Sequence, residues 1–294
     1  MKYKSTSYFL ILAVSLFVSI NTFAKSPVFR ISEGERHIYI GGTIHLLSPD
    51  DYPLPSGFSQ AFEASDRVFF ETDTTQLALP ENQAKLTSVM MLDGDKTLKG
   101  ELNETTYSRL EQFLTERQIP IGAFDKLTPA AISITLSLLE IQRLGLGNPQ
   151  SGVDQFFELK ARDAEVPRAY FETIEAQIGF INEFNKVEAN EVVNASLEDM
   201  ASLQKNWKAA VAAWRTGDFE LMSQSLGGDK MKTEFPSIYK VLLTDRNNRW
   251  MSQIKPLFET EEVEFILVGA LHLVEGNGLI KQLERDGYTV QQLD

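Results

Sequence analysis

Short apolar runs cluster toward the two ends of this chain, and helical periodicity fills most of the interior. Near the start, Pro27–Ile31 and His37–Ile40 are apolar segments separated by Gly34, a pattern that predicts a hairpin over residues 28–40. The second strand leads into Gly41-Gly42-Thr43-Ile44-His45, after which Pro49, Pro53 and Pro55 interrupt regular structure. A short helix over Ser56–Ser65 and a strand over Asp66–Asp73 follow. Residues 76–145 are mainly helical in pattern, broken near Gly94, Gly100 and Pro120, and the apolar stretch Ala130–Leu144 predicts a buried helix ended by Gly145 and Gly147. A helix from Ser151 to about Ala164 and a strand over Val166–Phe171 come next. Residues 174–258 are again helical, with breaks at Gly217 and Gly227-Gly228, and Pro236 opens a helix that runs past Trp250. The chain closes with a strand over Val263–Val268, a helix over Leu279–Asp286 capped by Gly287, and a strand over Tyr288–Leu293.

This order predicts an α/β fold: a central mixed β-sheet formed by the N- and C-terminal strands, with large helical insertions at about 76–165 and 174–258. Residues 25–294 form one domain on this reading. Residues 1–24 stand apart. Lys2 and Lys4 precede an apolar run from Tyr8 to Ile20, and Ala24 offers a small residue for cleavage, the three-part pattern of a signal peptide. The run is shorter than the roughly 20 residues a spanning helix needs, so export to the periplasm or medium is expected, with no membrane span after cleavage. An uncleaved anchor is the alternative.

Composition narrows the chemistry. With 43% apolar and 10% aromatic residues, the chain can bury a large core. It has no Cys, so disulfides, thiolate ligands and a thiol nucleophile are excluded. The net charge is −13, and removal of residues 1–24, which hold two lysines and no acids, takes it to −15. That charge argues against nucleic acid and against docking on an anionic membrane. Oligomeric state is left open.

Only three His occur, and two of them sit in one frame, an apolar strand followed by Gly-x-x-His-Leu, at Gly42–Leu46 and Gly269–Leu273. A Gly at a strand's end permits a sharp turn or a close approach. The following His then projects from the rim of the sheet, where ligands bind in open α/β folds. Each turn precedes a helix and a strand, which suggests a weak duplication with His45 and His272 facing each other. Glu71, behind the apolar Val68-Phe69-Phe70, is the expected third group, because a carboxylate there needs a partner. Two imidazoles and a carboxylate suit an open site for Zn, Mn, Fe or Co, which would acidify a bound water and polarise a carbonyl. Asp73, two residues along the strand, is the expected outer partner. The alternatives are hydrogen-bonding roles for the two His and an ion pair of Glu71 with Arg67 or Arg246. His37, inside the hairpin, is structural on this reading.

The sequence resembles the TraB/GumN family, which is related to the Tiki proteases. The resemblance rests on Tyr39–Leu46 with Tyr52-Pro53-Leu54-Pro55, Phe70–Asp73, Gly152–Phe157, Phe171–Gln177, Asp245–Trp250, where Asp245 replaces the usual Glu, and Val268–Leu273 with Gly287–Val290. It covers nearly all of residues 25–294. It implies a metal-dependent hydrolase acting on a peptide or other acyl-bond substrate, with a divalent ion (Mn, Co or Zn) held by His45, His272 and Glu71. A similarity to erythromycin esterases implies a competing role for His45 as a base without metal. Arg246 is then a candidate for steadying developing negative charge. Asp154, Glu172 and Asn247 are candidates for the outer shell or for substrate, against a capping role for Asp154 and structural ion pairs for Arg246 and Glu172. Sequestration of a peptide or small ligand without turnover is the remaining alternative.

Overall fold

The computed structural model describes residues 25–274 and 276–294. The expected signal peptide lies outside the described residues. Strands β1 (Val28–Glu33) and β2 (Arg36–Thr43) form the expected hairpin about Gly34. With β3 (Arg67–Thr72), β4 (Arg168–Glu172), β5 (Glu264–Gly269) and β6 (Thr289–Gln292) they build one sheet in the order β4-β3-β5-β2-β1-β6. Strands β4, β3, β5 and β2 are mutually parallel, and β1 is antiparallel to both β2 and β6. The mixed sheet expected from the two ends of the chain is therefore present, with β3 and β4 added at one edge.

Helix α1 (Ser56–Glu63) links β2 to β3. The first insertion carries α2 (Pro80–Met90), α3 (Leu98–Glu101), α4 (Glu104–Thr115), α5 (Pro129–Arg143) and α6 (Val153–Asp163). The second carries α7 (Ile174–Phe184), α8 (Ala189–Arg215), α9 (Phe219–Ser225), α10 (Gly228–Glu234), α11 (Pro236–Tyr239) and α12 (Asp245–Ile254). Helix α13 (Leu279–Arg285) precedes β6. Capping chemistry sets several of these starts. The side chain of Thr128 accepts from Ala131 N ahead of Pro129, and Asn103 and Thr173 do the same for α4 and α7. None of the described helices is long and apolar enough to cross a membrane.

Glu264 to Val268 of β5 are all buried, and since successive strand side chains point to opposite faces, the sheet is covered on both sides. Phe58, Phe157 and Trp214 close over Phe265, while Trp250 stacks on Phe171. A second core, with Leu98, Leu110, Leu114, Ile132, Leu136 and Val193, lies within the helical insertions. Helix α8 joins the two: Val193 and Leu197 belong to the second core, and Ala210, Val211, Ala213 and Trp214 to the first.

Two expectations change. The helix opened by Pro236 is not uniform, because a π-helical turn over Lys240–Thr244 separates α11 from α12. The duplication holds only in part. Strands β2 and β5 are adjacent and parallel, pairing Gly42 with Val268 and Thr43 with Gly269, so the two turns do lie side by side. A twofold axis between them would match β3 with β1. The second unit's closing strand, β6, lies one position further out because β1 occupies that place.

Candidate functional site

Four parallel strands end on one edge of the sheet, and each delivers a group there. His45 follows β2, Glu71 is next to last in β3, Glu172 ends β4, and His272 follows β5. This is the carboxyl edge of the parallel strands, where a crevice is expected. The glycines of the two repeated motifs serve close approach. Gly42 lies within β2, and a Cβ on it would meet Phe219 Cε1 at 2.8 Å, Leu273 Cδ1 at 3.0 Å and Ala270 Cα at 3.1 Å. The first motif thus packs directly on the second, and Trp214 Nε1 donates to Gly42 O at 2.7 Å to pin the strand end. Gly269 is the reciprocal case. The position of a Cβ there lies 3.3 Å from Glu71 Oε1, 3.4 Å from His45 Nε2 and 3.7 Å from His272 Cδ2. The two imidazoles and the carboxylate therefore surround one point.

His45 is set by Asp154. Its Nδ1 lies 2.7 Å from Asp154 Oδ2, and Thr43 Oγ1 donates to Asp154 Oδ1 at 2.9 Å. The start of α6 is pressed against the turn: Val153 N donates to Ile44 O, and a Cβ on Gly152 would fall 2.2 Å from His45 O. The capping alternative for Asp154 is not realised, since the N-cap is Gly152 and makes no side-chain cap bond. With Nδ1–H given to Asp154, Nε2 faces Glu71 and Gly269. The Asp154 carboxylate, aided by Glu71, pushes the His45 pKa up to about 9 against burial and Arg246. The ring nonetheless keeps 58% of its side-chain surface open, at the mouth of a cleft.

His272 is the opposite case. It is buried, with Nδ1 2.6 Å from Asn247 Oδ1. Asn247 Nδ2 donates to His272 O and Asn277 O, so Oδ1 is the acceptor and Nδ1 carries the proton. The lone pair of Nε2 then accepts from Arg246 Nη1 at 3.0 Å. Burial, with help from Arg246 and His45, pushes the His272 pKa down to about 3 despite Glu71.

Arg246 ties the cluster together. The π-helical turn before α12 shifts the helix phase, and Arg246, Asn247 and Trp250 all face the site. The guanidinium donates to Glu71 Oε2 at 2.5 Å, to Glu172 from Nε at 3.1 Å and Nη2 at 2.9 Å, and to Leu242 O at 3.4 Å. It lies over Trp250 at 4.7 Å and Phe180 at 4.8 Å. With the bond to His272 Nε2, all five of its N–H groups have protein partners. The expected role of steadying developing charge directly therefore finds no free donor here, and Arg246 instead positions Glu71, Glu172 and His272. Burial pushes Glu71 up, but Arg246, the two imidazoles and the N–H of Gly269, which donates to Oε1 at 2.7 Å, hold it down to about 2.

The cleft over the cluster has a volume of about 360 Å³ and is lined by His45, Glu71, Asp154 and Glu158, with Phe70 and Leu77 among its apolar walls. A larger hollow of about 550 Å³ adjoins Leu273 and Val274 without being lined by His45, Glu71 or His272, so the smaller one is the functional candidate on chemistry. Asp73 is not drawn in as an outer partner. Strand β3 ends at Thr72, and the Asp73 carboxylate turns back to cap the next turn through Thr75 N, Thr75 Oγ1 and Gln76 Nε2. Glu172 pairs with Arg246, and Gln177 Nε2 donates to it at 2.7 Å. Thr43, Glu158, Gln177 and Trp250 were not singled out from sequence. The signals for three of them lay in motif blocks: Thr43 within the first turn, Gln177 closing Phe171–Gln177, Trp250 closing Asp245–Trp250.

The three expected metal ligands converge without being in place for a divalent ion. His45 Nε2 and Glu71 Oε1 face the same space, and Glu71 Oε1 lies 3.9 Å from His272 Nε2. Among the described residues no three such side chains are already in a coordinating arrangement. His272 would become a third ligand only if Arg246 turned one N–H away from its Nε2.

Two strand-end imidazoles and a buried carboxylate under an overlying cleft define a strand-edge α/β site. The chain belongs to the TraB/PrgY/gumN family, whose model matches residues 27–292. It is similar to the uncharacterized protein YbaP of Escherichia coli (strain K12), 24% identical over 86% of this chain and 89% of that protein. The YbaP protein of Shigella flexneri shows the same identity and coverage. No solved structure matches.

Proposed function

We propose that this chain is an exported hydrolase that cleaves a peptide or other acyl bond at the strand-edge cluster. The observation that carries this reading is the convergence of His45, Glu71 and His272 on one point at Gly269, beneath an open cleft. His45, Glu71 and His272 would hold a divalent ion, which supplies a water acidified for attack and a polarised carbonyl. The chain's own residues account for the rest. Asp154 holds His45 Nδ1–H, so that Nε2 would present its lone pair to the ion. Arg246 and the Gly269 N–H keep Glu71 ionised, and Asn247 fixes the tautomer of His272.

A second reading is favoured by the bond between Arg246 and His272. If that bond persists, the Asp154–His45 pair works as an acid–base dyad without metal. Metal content of the purified protein, and peptide hydrolysis with and without chelator, separate the two. Hydrolysis that needs a bound divalent ion supports the first, and chelator-resistant hydrolysis supports the second. His45→Ala should abolish turnover in both. A variant that still turns over substrate at the wild-type rate would remove hydrolysis from this cluster. Peptide affinity without any turnover in the wild type would point to a binding protein.

A further inference from the structure

We propose that Glu158 forms a subsite, inside the cleft beside His45, for a cationic group on the substrate. A compound bound for cleavage then carries an ammonium or guanidinium close to the scissile bond. The word substrate rests on the hydrolase reading above, but the subsite is a binding claim that stands or falls separately.

Asp154 and Glu158 are one turn apart on α6, so both look out on the same side, and both line the cleft. Asp154 is committed to Thr43 and His45. Glu158 is not fully committed. It is 8% exposed, and its Oε2 accepts from Arg168 Nη1 at 3.1 Å. The Tyr170 hydroxyl also lies against this carboxylate: burial first, then the charge of Glu158 and a hydrogen bond to it, push the Tyr170 pKa up. Oε1 is buried and has no partner in hydrogen-bond geometry among the described residues, so the Tyr170 hydroxyl alone stands near enough to serve the carboxylate beside Arg168. A buried carboxylate oxygen left without a donor is costly, and a ligand N–H would relieve that cost.

Glu71, Asp154 and Glu158 line the cleft, no Lys or Arg is among the described lining residues, and His45 is its one base. Each of these acids has a basic partner, Arg246, His45 and Arg168 respectively, so the preference for a cation rests on the unserved Oε1 of Glu158 and not on net charge. Phe70, Leu77 and Pro149 offer an apolar wall for the methylene stem of such a side chain. Four residues of α6, a rise of about 6 Å, separate the Glu158 position from Asp154, which holds the imidazole. That offset suits a charged group one side chain away from the reacting bond.

The test is isothermal titration of the purified protein with three acetylated, amidated tripeptides, Ala-Lys-Ala, Ala-norleucine-Ala and Ala-Glu-Ala. The lysine peptide should bind about tenfold tighter than its norleucine isostere, and the glutamate peptide weakest. Glu158→Gln should bring lysine and norleucine within about twofold of each other, and His45→Ala should keep the preference. Equal lysine and norleucine affinity in the wild type, a preference for glutamate, or no binding of any of the three overturns the proposal without recourse to a variant. A preference unchanged in Glu158→Gln overturns it as well. Selectivity retained in a protein that hydrolyses nothing would leave the subsite standing and remove the hydrolase reading alone.

Discussion

Replacing Arg246 by methionine tests the charge logic of the site most directly. The side chain is 6% exposed and lies between two buried carboxylates, Glu71 at 9% residue exposure and Glu172 at 4% of its side chain. Methionine keeps bulk against Trp250 and Phe180 but leaves both acids without their shared cation. Breaking a buried pair by removing one partner costs about 3–5 kcal/mol, and with two acids stranded the loss should fall toward the upper end. The loss must also depend on pH. In the wild type the folded pKa of Glu71, about 2, is below its unfolded value of 4.5, so it contributes stability above pH 4.5 that disappears as the pH falls toward 2. Without Arg246, burial dominates and the folded pKa moves above 4.5, so the variant bears a penalty above that pH which vanishes below it. Both changes narrow the gap between the proteins in acid. Urea unfolding at pH 7 and pH 4 reads this out. A gap under about 1 kcal/mol at pH 7, or one of equal size at both pH values, would refute the reasoning.

The two histidines should leave opposite marks on stability. His272 has a folded pKa of about 3 against 6.5 unfolded, so its contribution is full above pH 6.5 and is lost as the pH falls. Between pH 6.5 and 4.5 the wild type should lose roughly 1.4 kcal/mol per pH unit relative to His272→Gln; matching slopes in urea titrations would contradict the neutral assignment. His45, with its pKa raised to about 9, stays protonated at pH 7, so loading Mn²⁺ at that pH should expel about one proton. Calorimetry in two buffers of different ionisation enthalpy measures that number, and a value near zero would mean His45 is not a ligand. Gly42→Ala places a methyl 2.8 Å from Phe219 Cε1 and 3.1 Å from the backbone of Ala270, so it should destabilise by about 1–3 kcal/mol. Thermal melts check this, and an unchanged midpoint would show that the two motifs do not pack as tightly as described.

The sheet and its rim were legible because short apolar runs bounded by Gly and Pro carry a local signal. His45, His272 and Glu71 were legible because a repeated motif and a carboxylate behind an apolar strand are both visible in one dimension. What joins them is not local. Asp154 could be picked out, but its bond to His45 depends on how α6 seats against β2 across 109 residues of chain. Arg246 was ambiguous between an ion pair and a catalytic donor. The answer depended on a π-helical turn that no periodicity announced, and on four acceptors from separate elements that use up its N–H groups. Asp73 was misplaced because a strand boundary one residue earlier sends its side chain into a capping role. The failed match between the duplicated units is topological: strand order is not written in either unit, and β1 takes the place that symmetry would give to the closing strand.

The pair of equivalent motifs yields two chemically unlike imidazoles, and environment explains the difference. His45 sits at an open mouth between two carboxylates, which favour its charged form. His272 is buried beside a guanidinium, which disfavours it. When neighbouring groups of one type have their pKa values driven apart, the environments assign the roles. Of the two rings only His45 reaches the cleft, so on the metal-free reading it is the one placed to exchange a proton with a ligand there. His272 is held neutral by Asn247 on one side and Arg246 on the other, so what it offers is a fixed lone pair. Arg246 already draws on that lone pair. The occupant of the His272 Nε2 position, guanidinium or metal, is therefore decided by whether Arg246 can release one N–H while its remaining bonds keep Glu172 from being left alone in the core.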